Sequence, residues 1–130
     1  MGRRNGMSDR LFRESDGIDE DTCLSMYDNS YDFYKLVLES FMNDMEKAVN
    51  GMKEHFAAED AENYRIFVHG LKGVGGSAGA THLVEMATQS NALIKEGKWE
   101  EAAKFHEPII NELERLREII PERIRSHTGQ

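Results

Sequence analysis

The chain has 130 residues and a formal net charge of −8 at pH 7, with 39% hydrophobic and 31% charged residues. This length accommodates one domain with a modest core, and the acidic balance argues against nucleic-acid binding, because a phosphate backbone requires a basic surface. A single cysteine, Cys23, excludes an internal disulfide. Without a signal-peptide pattern or a membrane-length apolar run, the sequence predicts a cytoplasmic protein that does not enter a membrane.

The two ends of the chain are polar. The first residues, MGRRNGMSDRLFRESD, combine both charges with glycine, which is typical of a disordered lead-in or a vector-derived tag. We therefore expect residues 1–16 to lie outside the fold, residues 17–125 to form the domain, and residues 126–130 to fray.

A short helix is predicted near residues 19–27, and a long amphipathic helix follows it. In the long helix, large apolar side chains recur every three or four positions and so share one face: Tyr34, Leu38, Phe41, Met45, Val49, Met52 and Phe56. Asn50 and Gly51 have weak helix propensity and predict a bend. Glu59 and Asp60 predict the turn into a second helix, which Asp60 caps.

Two further helices are predicted after a glycine-rich stretch. Residues 75–79 are expected to form a connection, Thr81 is the expected N-cap of the third helix, and Gly97 closes that helix. The inner faces of the third and fourth helices are formed by Leu83, Met86, Ala87, Leu93 and Ile94, and by Ala102, Phe105, Ile109, Leu113, Leu116 and Ile120.

Two prolines interrupt the fourth helical pattern. Pro108 predicts a kink near Phe105, or else a new helix that starts at Pro108, and Pro121 predicts the end of the helix or a sharp bend. Four amphipathic helices joined by short turns predict an all-α fold, namely an antiparallel four-helix bundle with a short additional N-terminal helix. No extra apolar stripe demands a dimer, so we expect a monomer.

The second long helix is predicted to present His69 to solvent. At about 100° per residue, four small or cationic residues lie within about 60° of His69: Arg65, Lys72, Gly73 and Gly76. Most of the large apolar side chains lie near the opposite side, with Ile66 as the exception: Tyr64, Phe67, Leu71 and Val74.

The neighbours of His69 indicate that another protein reaches this imidazole. Three glycines within residues 73–76 should weaken the helix by about 1 kcal/mol each relative to alanine, and clearance beside His69 would explain that cost. Lys72, at i+3, is placed to attract negative charge to the ring. An imidazole is mostly neutral at cytoplasmic pH, so one ring nitrogen is available as a nucleophile.

The residues around His69 follow a recognisable pattern. His69, Leu71, Lys72, Gly73 and Gly79 form H-x-L-K-G with a glycine six positions later. This pattern resembles the histidine-containing phosphotransfer (Hpt) domain of bacterial multistep phosphorelays. The similarity extends to GIDEDTCL at residues 17–24, to Ala-Thr-x-Leu at residues 80–83, and to EGKWEEA at residues 96–102, so it covers roughly residues 17–125.

The resemblance implies a role for each matched residue. His69 would accept the phosphoryl group, Lys72 would supply charge beside the phosphate, and Gly73 would leave a gap for a receiver domain. The implied reaction is reversible phosphoryl transfer between a receiver aspartate and His69, with the catalytic groups and Mg²⁺ on the receiver. The protein would then be a carrier rather than an enzyme, without a cofactor or metal of its own. Its partners would be the receiver domains of response regulators and hybrid sensor kinases.

Two positions depart from the family pattern. Asn91 is the candidate for orienting the phosphoacceptor ring, because it occupies a place where the family often has a glutamine or glutamate with that role, although a shorter amide has less reach. Val74 and Gly75 replace the usual small residues such as serine or alanine.

The expected docking surface for a receiver lies around His69. It comprises Arg65 and Gly76, together with Ile18 and Leu24 from the first short helix. The alternative for the two apolar residues is burial in the end of the bundle.

Other interpretations fit less well. Residues 73–78 also match G-x-G-x-x-A, but a dinucleotide-binding fold needs alternating strands and helices. No pair of histidines has metal-ligand spacing. A helical adaptor that binds the same partners without carrying phosphate remains the alternative function, and a phosphoacceptor domain from a larger chemotaxis-type kinase would share the chemistry.

Overall fold

The computed structural model describes residues 10–127, and all regular structure in that range is helical. A 3₁₀ turn at Glu14–Asp16 precedes six α-helices: α1 (Glu20–Met26), α2 (Tyr31–Ala57), α3 (Ala61–Ala78), α4 (Thr81–Lys95), α5 (Trp99–Ala103) and α6 (His106–Ser126). None of these described helices is both long and apolar enough to cross a membrane.

The four long helices α2, α3, α4 and α6 pack as an antiparallel bundle. Late in α2, Gly51 lies under the ring of Phe67, which is near the middle of α3. Early in α2, the Tyr34 hydroxyl donates to the Ala78 carbonyl at the end of α3, at 2.8 Å. These contacts run in opposite order along the two helices, which agrees with the predicted antiparallel arrangement.

The same order holds between α2 and α6. Phe56, near the end of α2, stacks on His106 at the start of α6, with ring centroids 3.8 Å apart. Tyr31, at the start of α2, lies against His127, just past the end of α6, at 4.5 Å. Ser126 is still helical, so the predicted frayed tail does not include residues 126 and 127. Residues 128–130 lie outside the described part of the chain.

The predicted inner faces form the core. Its fully buried members come from all four long helices, including Tyr34, Leu38, Met45, Met52, Leu71, Leu83, Ala87, Ile109, Leu113, Leu116 and Ile120. Phe56, Ile94 and Phe105 are partly buried and pack against this core. Burial of these side chains, at about 25 cal/mol per Å² of apolar surface, is the main force that holds the helices together.

The connection between α3 and α4 is shorter than predicted. Gly75 belongs to α3, which continues to Ala78, and only Gly79 and Ala80 join it to α4. The N-cap position of α4 is Ala80 rather than Thr81. Gly79 makes the tight turn possible, because its φ is 85° and a Cβ there would lie 2.9 Å from the Asp19 carbonyl oxygen. The predicted connection over residues 75–79 and the predicted Thr81 cap are therefore wrong.

The predictions made from the two prolines have different outcomes. α5 and α6 are separate, and α6 begins at His106 with Pro108 in its first turn, where the missing N–H is not needed. This is close to the second of the two predicted alternatives. Pro121 lies inside α6, which continues to Ser126, so the predicted end at Pro121 is wrong. Packing of Ile120 and Ile124 against the core holds the turn that contains this proline.

The segment before α1 is part of the fold. Leu11 and Phe12 are only 4% and 3% exposed, and the fully buried Glu20 carboxylate accepts hydrogen bonds from both of their backbone N–H groups, at 2.8 and 2.9 Å. The prediction that residues 1–16 lie outside the fold is wrong for residues 10–16. Residues 1–9 lie outside the described range.

A buried ion pair joins this N-terminal segment to α6. The Asp16 carboxylate receives two hydrogen bonds from the Arg123 guanidinium, at 2.8 and 3.1 Å, and Arg115 donates to the Asp16 carbonyl. Burial disfavours the charge of Asp16, but the bonds from Arg123 and from the Arg13 N–H outweigh it and hold the pKa of Asp16 below its ordinary value.

An aromatic cluster surrounds His106 at one end of the bundle. Its ring stacks on Phe56, and its Nδ1 shares a hydrogen bond of 2.8 Å with the Tyr64 hydroxyl. Trp99 packs edge-on against Tyr64. Burial lowers the pKa of His106, Glu107 opposes this effect, and Lys53 adds to it. The folded state therefore favours the neutral ring.

We expect this cluster to make the fold less stable in mild acid. The unfolded chain binds a proton at His106 once the pH drops below about 6.5, whereas the folded chain resists it until a lower pH. The free energy of unfolding should therefore fall from pH 7.5 to pH 5, and this fall should be smaller in His106→Gln. Urea denaturation at several pH values measures the effect, with the exposed His82→Gln as the control. An unchanged pH dependence in His106→Gln would contradict the assignment.

Candidate functional site

The middle of α3 presents His69 to solvent. The helix starts at Asp60, whose side chain accepts a hydrogen bond from the Asn63 N–H at 3.2 Å. Its opposite face is anchored by buried Tyr64 and Leu71, and the predicted exposure of His69 is confirmed. Within residues 10–127 the ring forms no hydrogen bond or ion pair with another side chain, and no group of three or more His, Cys, Asp or Glu could hold a metal ion.

The glycines of α3 fall into two kinds. At Gly70, Gly73 and Gly76 an added Cβ would meet no atom within 4 Å, so these positions form an open strip beside His69. Gly75 is buried instead, and a Cβ there would lie 3.0 Å from a methyl group of Val84. The strip leaves room for a partner, whereas Gly75 allows α4 to pack closely.

Two cations flank His69 on the side that faces α4. Lys72 is half-buried one turn after His69, and Arg65 is half-buried one turn before it. The Arg65 guanidinium donates from Nη1 to the Asn91 side-chain oxygen at 3.4 Å, and Asn91 is only 4% exposed. The predicted ring-orienting contact of Asn91 is therefore absent from residues 10–127, because the short amide bonds to Arg65 instead of His69.

The first short helix does not present the apolar residues that were expected there. Ile18 is 9% exposed and Leu24 is 2% exposed. α1 packs onto the end of α3, where the Asp19 N–H donates to the Gly79 carbonyl at 2.9 Å and the Cys23 thiol lies 3.4 Å from the Ser77 carbonyl oxygen. The prediction that Ile18 and Leu24 belong to a docking surface is wrong, because both side chains are buried in the hydrophobic core.

Comparison with known proteins places these features in a family. The family model of the Hpt domain matches residues 36–119. The chain belongs to the Hpt domain family. Members of this family are phosphotransfer carriers rather than classical enzymes, so the chain has a general role in histidine phosphotransfer.

A solved structure has the same fold as this Hpt domain. The crystal structure of histidine-containing phosphotransfer protein B (HptB) from Pseudomonas aeruginosa PAO1 is similar with a TM-score of 0.73 and 24% sequence identity. The match covers 84% of this chain and 96% of that chain. Among curated proteins, no sequence match is found.

The Hpt domain also exposes large apolar side chains that the sequence patterns did not single out as a surface. Ile66 is 59% exposed one turn before His69. Met26, Phe33 and Leu36, which we call the apolar patch, are 58%, 49% and 62% exposed. Tyr27 packs edge-on against Phe33 and donates to the Ser77 carbonyl at 2.7 Å, which ties this patch to the end of α3. The sequence contained a signal for this exposure, because Phe33 and Leu36 are large apolar residues that fall outside the predicted inner face of α2.

A groove continues from the open strip at the end of α3. It has a volume of about 670 Å³ and lies between α1, α3 and the start of α4, with Thr22, Gly76, Thr81 and His82 among its lining residues. The exposed face of the Hpt domain is therefore continuous from His69 past Gly76 to α1.

Proposed function

We propose that His69 is the phosphoacceptor, which takes a phosphoryl group from the aspartyl phosphate of one receiver domain and passes it reversibly to another. The observation that carries this proposal is the placement of an exposed imidazole beside an open glycine strip, in a chain of the Hpt family. Both a nucleophile and access for a large partner are needed for transfer between proteins.

The chemical step needs little from the Hpt domain beyond the ring. An unprotonated nitrogen of His69 attacks phosphorus, an N–P bond forms, and the P–O bond to the aspartyl carboxyl group breaks. The carboxylate leaves with the electron pair, while the other ring nitrogen keeps its proton. The reverse step returns the phosphoryl group to a receiver aspartate.

Charge neutralisation is shared between the partners in this proposal. Lys72 meets the phosphoryl oxygens from the α4 side of the ring, where it is half-buried and therefore screened less than a fully exposed lysine. The receiver supplies its acidic pocket and bound Mg²⁺. A loose, in-line transition state depends mainly on positioning and on such charge neutralisation.

The docking surface for the receiver follows from the exposed groups. Gly73 and Gly76 provide clearance, Arg65 provides charge, and Ile66 provides apolar area next to the reacting ring. The apolar patch extends this surface toward α1. Receiver domains of response regulators and hybrid sensor kinases are the proposed partners. Which receivers bind depends on how well their charged and apolar groups complement this face.

Phosphoryl transfer from a receiver domain to the His69→Gln variant tests the proposal. A receiver domain phosphorylated with ³²P is mixed with the protein, and wild type should gain label that is lost in acid and stable in alkali. His69→Gln should gain none, because glutamine has no nucleophilic ring nitrogen. His82→Gln, another exposed histidine, is the matched control and should be labelled normally. Label that persists in His69→Gln would exclude the proposed acceptor, and binding without any label would favour the adaptor function.

A further inference from the structure

Asn91 is a buried amide whose partner determines its role. The side chain is 4% exposed, and burial of an amide is unfavourable unless it is hydrogen-bonded. Within residues 10–127, its oxygen accepts its side-chain hydrogen bond from Arg65, at 3.4 Å. The amide therefore acts on the guanidinium, and it does so from α4, a different helix from the one that carries Arg65.

The position of Arg65 connects this bond to His69. Arg65 and Lys72 lie one turn before and one turn after His69, and both fall within about 60° of it on the side that faces α4. A phosphoryl group on the ring would lie between an ammonium group and a guanidinium group. A free arginine side chain has several rotatable bonds, and holding it in one place beforehand removes an ordering cost from the reaction.

We infer that Asn91 is a positioning residue that acts through Arg65, holding the guanidinium where it and Lys72 together attract and neutralise the incoming phosphoryl group. This inference rests on the proposed role of His69. In this role Asn91 orients a cation beside the His69 ring and does not orient the ring itself.

A double-mutant cycle with a small phosphodonor tests this role without a receiver. Wild type, Asn91→Ala, Arg65→Gln and the double variant are treated with phosphoramidate, and ³¹P NMR follows the phosphohistidine formed. Each single variant should react about threefold more slowly than wild type, which is the size expected of one partly exposed charge. The double variant should be no slower than Arg65→Gln. The rate should also depend less on salt in all three variants.

Other measurements separate this role from a structural one. The ¹⁵N shifts of the His69 ring should be the same in the double variant as in Arg65→Gln, because Asn91 is inferred to act on the ring's surroundings only through Arg65. Ser90→Ala is the matched control, since Ser90 is a neighbouring buried residue whose hydroxyl has no hydrogen-bond partner among residues 10–127, and it should react at the wild-type rate.

Several results would overturn the inference. Additive losses in the double variant, or His69 ring shifts that differ between the double variant and Arg65→Gln, would show that Asn91 acts on something other than Arg65. If Asn91→Ala fails to fold, the test rests on Arg65→Gln, whose substitution is at a half-exposed position. A wild-type reaction rate with unchanged salt dependence in Arg65→Gln would refute the inferred role of the guanidinium. A wild-type protein that gains no phosphohistidine would instead refute the proposed function of His69, so the two failures are distinguishable.

Discussion

Replacement of Gly73 by glutamine is expected to slow phosphoryl transfer from a receiver domain by at least about tenfold without loss of stability. A Cβ at Gly73 meets no atom within 4 Å, so the fold accommodates the new side chain, and glutamine favours a helix over glycine by about 0.5 kcal/mol. The same side chain occupies the space that a receiver needs one turn after His69, and small misplacements of reacting atoms reduce rates steeply.

Two measurements separate the effects of Gly73→Gln. Urea denaturation should give a free energy of unfolding equal to or slightly above that of wild type, while the time course of transfer from a ³²P-labelled receiver should be slow. Phosphoramidate, which is small, should still phosphorylate His69. Asn111→Gln is the control, because Asn111 is exposed on α6, which packs on α2 and α4. Normal transfer in Gly73→Gln would contradict the proposal that this strip is the approach path.

Replacement of Glu20 by alanine is expected to destabilise the fold by about 3 kcal/mol. The carboxylate is fully buried and binds the N–H groups of Leu11 and Phe12 as well as the Tyr31 hydroxyl. Its removal leaves buried donors without their acceptor, and hydrogen bonds to a charged group contribute about 1.5–3 kcal/mol each. Relief of the buried charge offsets part of this sum.

The loss of stability in Glu20→Ala should be greatest in the N-terminal segment that Glu20 holds. Hydrogen exchange should become faster at the amides of residues 11 and 12 than at the amides of α4, because the N-terminal segment is released before the bundle unfolds. Urea denaturation gives the global change, and Glu39→Ala, at an exposed site on α2, should stay within about 0.5 kcal/mol of wild type. A Glu20→Ala protein as stable as the Glu39→Ala control would rule out this account.

Helix periodicity determines most of the fold. The inner faces of α2, α4 and α6 are buried largely as predicted, and His69 is exposed opposite buried Tyr64 and Leu71. These features depend on spacing along one helix, so they can be obtained from the order of residues alone.

Only some of the glycine roles could be obtained in the same way. Gly73 and Gly76 border open space, Gly75 allows close packing of α4, and Gly51 lies under Phe67, where an added Cβ would clash with the ring. Periodicity places Gly73 and Gly76 on the His69 face, but the roles of Gly75 and Gly51 depend on which side chain of another helix lies opposite each one.

The N-terminal segment was missed for a related reason. Leu11 and Phe12 stand alone among polar residues, and a segment of that composition lacks the periodic pattern that indicates burial. Hydrogen bonds to Glu20 hold these two residues in place. The ion pair between Asp16 and Arg123 also holds the segment, and its two members are 107 positions apart in the chain. Long-range pairing of this kind has no signal within the segment itself.

The sequence by itself therefore determined the all-helical class, the faces of the helices and the exposed position of His69, because each follows from local periodicity. Only the tertiary structure decided that Ile18 and Leu24 are buried, that α6 continues past Pro121, and that Asn91 bonds to Arg65. Those outcomes depend on contacts between helices, whose energies compete with local preferences and become visible once the helices are packed together.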